Sequence, residues 1–277
     1  MNIRPRSPHP CRWLQRLLAA TALLAPLSAH AVFQNGGFEL NSFAGWTLEG
    51  GLNPGLAGSP PFTGASVQIT PGSPGPANIV GTLSDPRAPL ISLPRVGSYT
   101  ARLNDEAGGA RVTRLRQVDT LTAADIDPAD GLPHLRFAFA PVLDDPSHAA
   151  HEQPYFYVAV RNLADNSLLF EQFAWSGQPG VDFLQGSGNW KYLPFQNVDA
   201  VLPLSAIGQP IELVVIAADC SLGGHGGYVY VDGFGSTAVG QPGGGGTAIA
   251  VPVGHPFALA ALVALLAATG WRRARRA

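Results

Sequence analysis

Two short stretches of this 277-residue chain carry side chains that could do chemistry. The first is Asp219-Cys-Ser-Leu-Gly-Gly-His-Gly-Gly-Tyr228, where a thiol stands beside a carboxylate and shortly before an imidazole. Its glycines permit backbone paths closed to other residues, so Asp219, Cys220 and His225 can be folded close together. Such a trio could be a Cys-His nucleophile pair or a metal site. A nucleophile also needs an orienting partner and an oxyanion donor, and the sequence names neither. The preferred reading is a tight glycine-shaped loop with a half-buried Cys220 and a hydrogen-bonded His225.

The second stretch is Asp144-Asp145-Pro-Ser-His148-Ala-Ala-His151-Glu152. Paired carboxylates with two histidines could bind a metal or supply acid and base. The histidines lack the i, i+4 helical spacing of a zinc protease, and no Glu lies between them. A solvated polar loop is the better reading, with Asp145 and His148 kept as ligand-binding candidates beside His225. Among the aromatics Trp46, Tyr155, Tyr157, Trp175 and Trp190, most belong in a core. Trp175, followed by Ser-Gly-Gln-Pro-Gly at a strand end, is expected to be the most exposed and so a candidate for stacking on a sugar.

The elements that must position these residues read as strands. Charged residues make up only 13%, the chain has 33 glycines and 25 prolines, and no long stretch shows a sustained 3.6-residue apolar period. The expected strands are Ser98–Leu103, Val112–Leu121, Leu135–Pro141, Tyr155–Asn162, Ser167–Trp175, Trp190–Asn197, Ile211–Ala217 and Tyr228–Phe234. Asn162 and Ser167 are joined through Leu-Ala-Asp-Asn, which suits a hairpin turn. The Pro-rich segment 53–76 reads as a surface excursion with one strand at Ala65–Thr70.

The two ends differ from this middle. Arg4, Arg6, Arg12 and Arg16 precede the apolar run Leu17 to Leu27, which closes on Ser28-Ala-His-Ala31, the pattern of a secretory signal cut by signal peptidase between Ala31 and Val32. Toward the C-terminus, a Gly-rich linker (240–250) leads to Val251-Pro252, an apolar run from Phe257 to Gly270, Trp271, and then Arg272, Arg273, Arg275 and Arg276. Counted from Val251 to Trp271, about 21 residues, the segment is just long enough to span a bilayer, with the arginines held inside. The division is therefore signal peptide 1–31, ectodomain 32–239, linker 240–250 and membrane tail 251–277.

Of 17 Lys and Arg, eight lie in these ends, leaving nine against all 19 Asp and Glu in the ectodomain. An acidic ectodomain argues against nucleic acid and leaves divalent cations and neutral glycans as compatible partners. With Cys11 lost in the signal, Cys220 has no intrachain partner and is expected to be buried.

The C-terminal arrangement of linker, Val251-Pro252, apolar helix and arginines resembles the PEP-CTERM and IPTL-CTERM sorting signals. That resemblance implies processing near Val251 and Pro252 by an exosortase-like membrane protease, through an inner-membrane-anchored intermediate, to the surface or extracellular matrix of a Gram-negative-type bacterium. The motif here is Val-Pro-Val-Gly-His-Pro instead of Pro-Glu-Pro or Ile-Pro-Thr-Leu, so the enzyme stays open. Phe33-Gln-Asn-Gly-Gly-Phe-Glu39, Gly45-Trp46, Gly97-Ser-Tyr-Thr-Ala-Arg-Leu103 and Tyr228-Val-Tyr-Val-Asp232 resemble, in order, the galactose-binding-like, carbohydrate-binding-module-like jelly rolls. This implies an all-β fold, a jelly-roll-like antiparallel β-sandwich that opens on the Phe33–Glu39 strand. It also implies a structural Ca2+ held by Glu39 and Asp232. The functional expectation is a non-catalytic surface or matrix protein associated with extracellular polysaccharide. The alternatives are an envelope hydrolase, glycan-active or otherwise, and a purely structural biofilm component.

Overall fold

A computed structural model describes residues 32–236. The predicted signal segment with Ala31, the linker, and the tail with Val251, Pro252, Arg272 and Arg273 lie outside the described residues. In chain order the strands are β1 (Thr47–Leu52), β2 (Thr70–Pro71), β3 (Ala77–Val80), β4 (Leu83–Ser84), β5 (Ser92–Leu93), β6 (Thr100–Leu103), β7 (Arg111–Thr120) and β8 (His134–Asp144). There follow β9 (Tyr155–Asn162), β10 (Leu168–Trp175), β11 (Leu184–Gln185), β12 (Trp190–Tyr192), β13 (Gln196–Val201), β14 (Pro210–Ala218) and β15 (Gly227–Gly235). The described residues contain no α-helix.

The strands form two antiparallel sheets, ordered β10-β9-β14-β7-β1-β2 and β11-β12-β8-β15-β6-β3, with β13 continuing beyond β12 along β8 and β4 pairing β5 apart. From β6 onward the chain crosses repeatedly between sheets. The inner orders β12-β8-β15-β6 and β10-β9-β14-β7 are those of a jelly roll. The expected sandwich is found.

Alternation along the strands explains why the sheets stack. Phe156, Val158 and Val160 of β9 and Leu213, Val215 and Ala217 of β14 point between the sheets, where they meet Phe137, Phe139, Val229 and Val231. Each fully buried residue of this size contributes roughly 1.5–3 kcal/mol of transfer free energy. The opposite faces are also covered in part. Leu56 and Phe62 of the long excursion pack on Tyr155, Tyr157, Val214 and Ile216, while Ala88, Ile91 and Leu93 pack on Trp190, Tyr192, Tyr228 and Tyr230. Strands buried on both faces lose the polar half of the alternation, and β8 is accordingly almost continuously buried.

Four expectations differ from the structure. Residues 33–42 form a run of turns and not a first strand, with positive φ at Phe33, Asn35, Phe38 and Asn41. The first strand is β1, which composition hid because two of its six residues are glycine; a Cβ on Gly50 would overlap the Val112 carbonyl. The strand expected at Ala65–Thr70 is a single 3-10 turn, Gly64–Ser66, capped by Thr63, with β2 starting only at Thr70. The strand expected at Trp190–Asn197 is broken at Leu193-Pro194-Phe195, since Pro194 brings no N–H to a ladder.

The opening turns are tied down by side chains of the sandwich. Val32 N donates to Asp125 Oδ1 (3.3 Å), Phe33 N to Asp119 Oδ2 (3.0 Å) and Gln34 N to Gln117 Oε1 (2.6 Å). Trp46 stacks on Phe38 and contacts Phe234 at 5.0 Å between ring centroids, closing the end of the core.

Candidate functional site

The two chemistry-bearing stretches become one site. One is the connection between β8 and β9, the other between β14 and β15, and these strand ends lie at the same end of the sandwich. Ser221 N donates to Glu152 O (2.9 Å) and Asp144 N to Gly226 O (3.0 Å), which staples the two loops together. Within the second loop, Cys220 N donates to His225 O and Gly223 N to Cys220 O, both at 3.0 Å, so the chain doubles back and faces the thiol with the imidazole. Gly223 has φ +79° and needs glycine for that path. A Cβ on Gly108 would come within 2.5 Å of Gly223 O, so the loop after β6 walls the site from behind.

Cys220 Sγ lies 3.6 Å from His225 Nδ1, and the His148 ring stands edge-on to His225 with centroids 5.0 Å apart. One ligand atom from each of His148, Cys220 and His225 falls within 4.8 Å of the other two. Cys220 is 0% exposed, and His148 Nδ1 is buried without a hydrogen-bond partner. The thiol thus faces the interior of its own loop and the His225 ring. The half-buried Cys220 of the sequence reading is therefore fully buried.

The neighbouring acids hold the frame. Asp219 accepts from Arg111 N (3.0 Å), Gly227 N (3.2 Å) and Asn104 Nδ2 (3.3 Å), and burial pushes its carboxyl up to about 7. Asp145 accepts from Ser147 N (3.3 Å), and Glu152 from Ala149 N (3.2 Å), so both stabilise turns. Asp144 is raised by burial and eased by the charge of His225. His151 is exposed and stands apart from the trio.

The Glu39 and Asp232 side chains both flank Gly37. A Cβ on Gly37 would stand 3.6 Å from Glu39 Cγ and 4.0 Å from Asp232 Oδ1. Glu39 accepts from Ser98 N (2.9 Å) and Tyr99 N (3.3 Å), while Asp232 Oδ2 accepts from Arg95 N (3.1 Å), Val96 N (3.0 Å) and Thr100 Oγ1 (2.8 Å). The two acids thus cap one loop. Asp232 Oδ1 is left buried with no hydrogen-bond partner, an oxygen that suits a hard cation. Burial pushes the Asp232 carboxyl up to about 7 against the hydrogen bonds from Val96 and Thr100.

A third feature was missed by sequence reasoning. On the outer face of the β9-β14-β7 sheet, beside the covering excursion, lies a cleft of about 360 Å³ lined by Tyr157, Arg114, Arg161, Glu212, Val214 and Ile216 among others. Glu212 pairs with Arg116 and, at 4.0 Å, with Arg114 Nη2; Arg114 Nε stands 3.4 Å from Glu49 Oε2. Burial, reinforced by the Glu171 charge, raises the Tyr157 phenol, which stays a neutral donor. Gly64 marks the rim, since a Cβ there would overlap Tyr157 and Glu171. The available signal was the alternation Arg111-Val-Thr-Arg-Leu-Arg116, which places Arg114 and Arg116 on one strand face. Trp175 shares that outer face but is half-buried against the cluster of Phe62, Tyr155, Tyr157 and their aliphatic neighbours, correcting its expected exposure.

No protein-family model matches the chain, and no curated protein matches it. Among solved structures it is similar to the carbohydrate-binding module CBM27-1 of Caldicellulosiruptor saccharolyticus in complex with mannohexaose, at 12% identity over 73% of this chain and 93% of that one, TM-score 0.36. It is similar to the K2 cleaved adhesin domain of Lys-gingipain, at 13% identity over 72% and 94%, TM-score 0.36. It is similar also to the enzymatically active domain of bacteriophage CBA120 tailspike protein 4, at 9% identity over 73% of this chain, TM-score 0.37. This chain spans only 21% of the length of that tailspike domain.

Proposed function

We propose that the chain is an exported, non-catalytic surface protein whose sandwich binds extracellular polysaccharide in the cleft over β7, β9 and β14. The lining of that cleft carries the reading. A sugar ring presents apolar C–H faces and a rim of hydroxyls. Val214, Ile216 and the Tyr157 ring match the first, and Arg114, Arg161 and Glu212 match the second. The volume lies within the range of small-ligand pockets. A glycan array probed with the full chain tests this. Retention of one polysaccharide class, reduced about tenfold or more by Arg114→Ala together with Arg161→Ala, is the expected result. An array on which nothing is retained would leave the purely structural role.

Delivery follows from the two ends: signal peptidase acts between Ala31 and Val32, and an exosortase-like protease acts near Val251 and Pro252 while Arg272 and Arg273 stay inside. Fractionation checks it, with a shortened form outside the inner membrane expected. Ca2+ at Asp232 and Glu39 would stabilise the domain by neutralising the buried Asp232 carboxylate and joining the opening turns to β15.

A further inference from the structure

The convergence of His148, Cys220 and His225 at the stapled loop end goes beyond any glycan-binding role. We propose that these three side chains bind a transition-metal ion of zinc type, with a water molecule completing a tetrahedron.

The donor set selects the metal class. A thiolate and two imidazoles are soft-to-borderline ligands that suit zinc and its neighbours and not calcium or magnesium. With Zn–S of about 2.3 Å and Zn–N of about 2.0–2.1 Å, the edges of a tetrahedral site are about 3.3–3.6 Å long. Cys220 Sγ and His225 Nδ1, 3.6 Å apart, already stand at one such edge. The remaining separations, none above 4.8 Å, need close by only about 1.5 Å or less, with His148 carried on the connection between β8 and β9.

The surroundings fit as well as the spacing. His148 Nδ1 is buried with no partner, which is costly for a nitrogen but natural for a ligand. The backbone ties from Ser221 to Glu152 and from Asp144 to Gly226 hold the two loops side by side, so the three ligands are already gathered and only small side-chain shifts remain. Binding would cross-link the β8–β9 connection to the β14–β15 connection and raise the melting temperature.

The test uses the full chain without a histidine tag, reduced and stripped by chelator, then titrated with Zn2+ and, as a spectroscopic probe, Co2+. The expected result is one ion per chain, a thiolate-to-cobalt charge-transfer band, and intense visible bands of a tetrahedral site. Cys220→Ser should abolish the charge-transfer band, and His148→Gln and His225→Gln should each weaken zinc binding by at least about tenfold. His151→Gln, on the exposed neighbouring histidine, should change nothing. Circular dichroism verifies each fold, and His148→Gln, on a surface loop, reports even where the buried cysteine variant misfolds. Absence of binding at one equivalent, a charge-transfer band that survives Cys220→Ser, or a loss in His151→Gln equal to that in His148→Gln would overturn the site.

Discussion

Tyr230 and Asp85, separated by 145 positions in the chain, meet at 2.7 Å, the phenol donating to the carboxylate. Tyr228 donates to the same group at 2.9 Å, and the amides of Arg87 and Ala88 donate to it at 2.6 and 2.7 Å. A single 3% exposed acid thereby fastens the β4–β5 segment over the outer face of the second sheet. Burial and the Asp85 charge push both phenols far above the usual range.

Replacing that acid should be among the most damaging polar substitutions in the domain. In Asp85→Asn an amide donor faces a phenolic donor, and the expected loss is about 1–3 kcal/mol; Asp85→Ala, which strands every donor, should lose more. Chemical denaturation measures it, and a change within experimental error in Asp85→Ala would rule out the fastening role.

Adjacent glycines should respond differently. A Cβ on Gly36 would overlap the carbonyl oxygen of Phe234, whose own N–H donates to Gly36 O at 3.0 Å, whereas on Gly37 it meets ordinary van der Waals contacts. Gly36→Ala should cost about 1–3 kcal/mol and Gly37→Ala less than about 1 kcal/mol. Equal melting temperatures for the two variants would contradict the close approach of the opening turns to β15.

The pH dependence should carry the mark of His134. Its Nδ1 lies 2.5 Å from Asp199 and its Nε2 3.0 Å from Asp130, so the doubly protonated ring satisfies both acids. The hydrogen bond it donates to Asp199 is the largest effect raising its pKa above 6.5; desolvation and the charge of Arg136 oppose, and Asp130 assists. Asp127 faces the group through Arg136, at 2.6 Å. A raised folded value means stability that is complete below pH 6.5 and is lost as pH rises through the folded pKa. Melting curves should fall across that interval for the native chain, and the fall should shrink in His134→Gln. Asp127, Asp130 and Asp199, all held below the usual carboxylate range, act only in more acidic solution.

Calcium should raise the melting temperature of the chelated protein, and the rise should vanish in Asp232→Asn and weaken in Glu39→Ala. The Asn variant keeps an acceptor for the 95–96 amides, so it separates loss of the cation from loss of the cap. A midpoint indifferent to chelator in the native chain would remove the cation and leave Glu39 and Asp232 as caps alone.

Much of the frame was legible because the strands alternate: Tyr155–Asn162 was located to the residue, and β7, β8, β14 and β15 to within a few residues at each end. Glycine-rich β1 escaped because its conformation is imposed by neighbours, Val112 and Pro74, that lie far along the chain. The candidate metal trio was half legible. Cys220 and His225 share a motif, but His148 joins them only through the jelly-roll crossing that brings the end of β8 beside the start of β15. The cleft was least visible, since Arg114, Arg161 and Glu212 come from three strands that neighbour each other in the order β9-β14-β7 and not in sequence.

The amide of Val32, hung on Asp125, stands at the residue that follows the predicted scission point. As an internal peptide group it offers that acid a neutral N–H; as a chain terminus it would offer an ammonium, whose positive charge adds a direct attraction to the carboxylate. The form that begins at Val32 should therefore melt higher than one retaining residues 1–31, and Asp125→Asn should erase the difference. On the proposed route of delivery, maturation would then act as a ratchet: cleavage before Val32 would tighten the seam that the leader leaves behind.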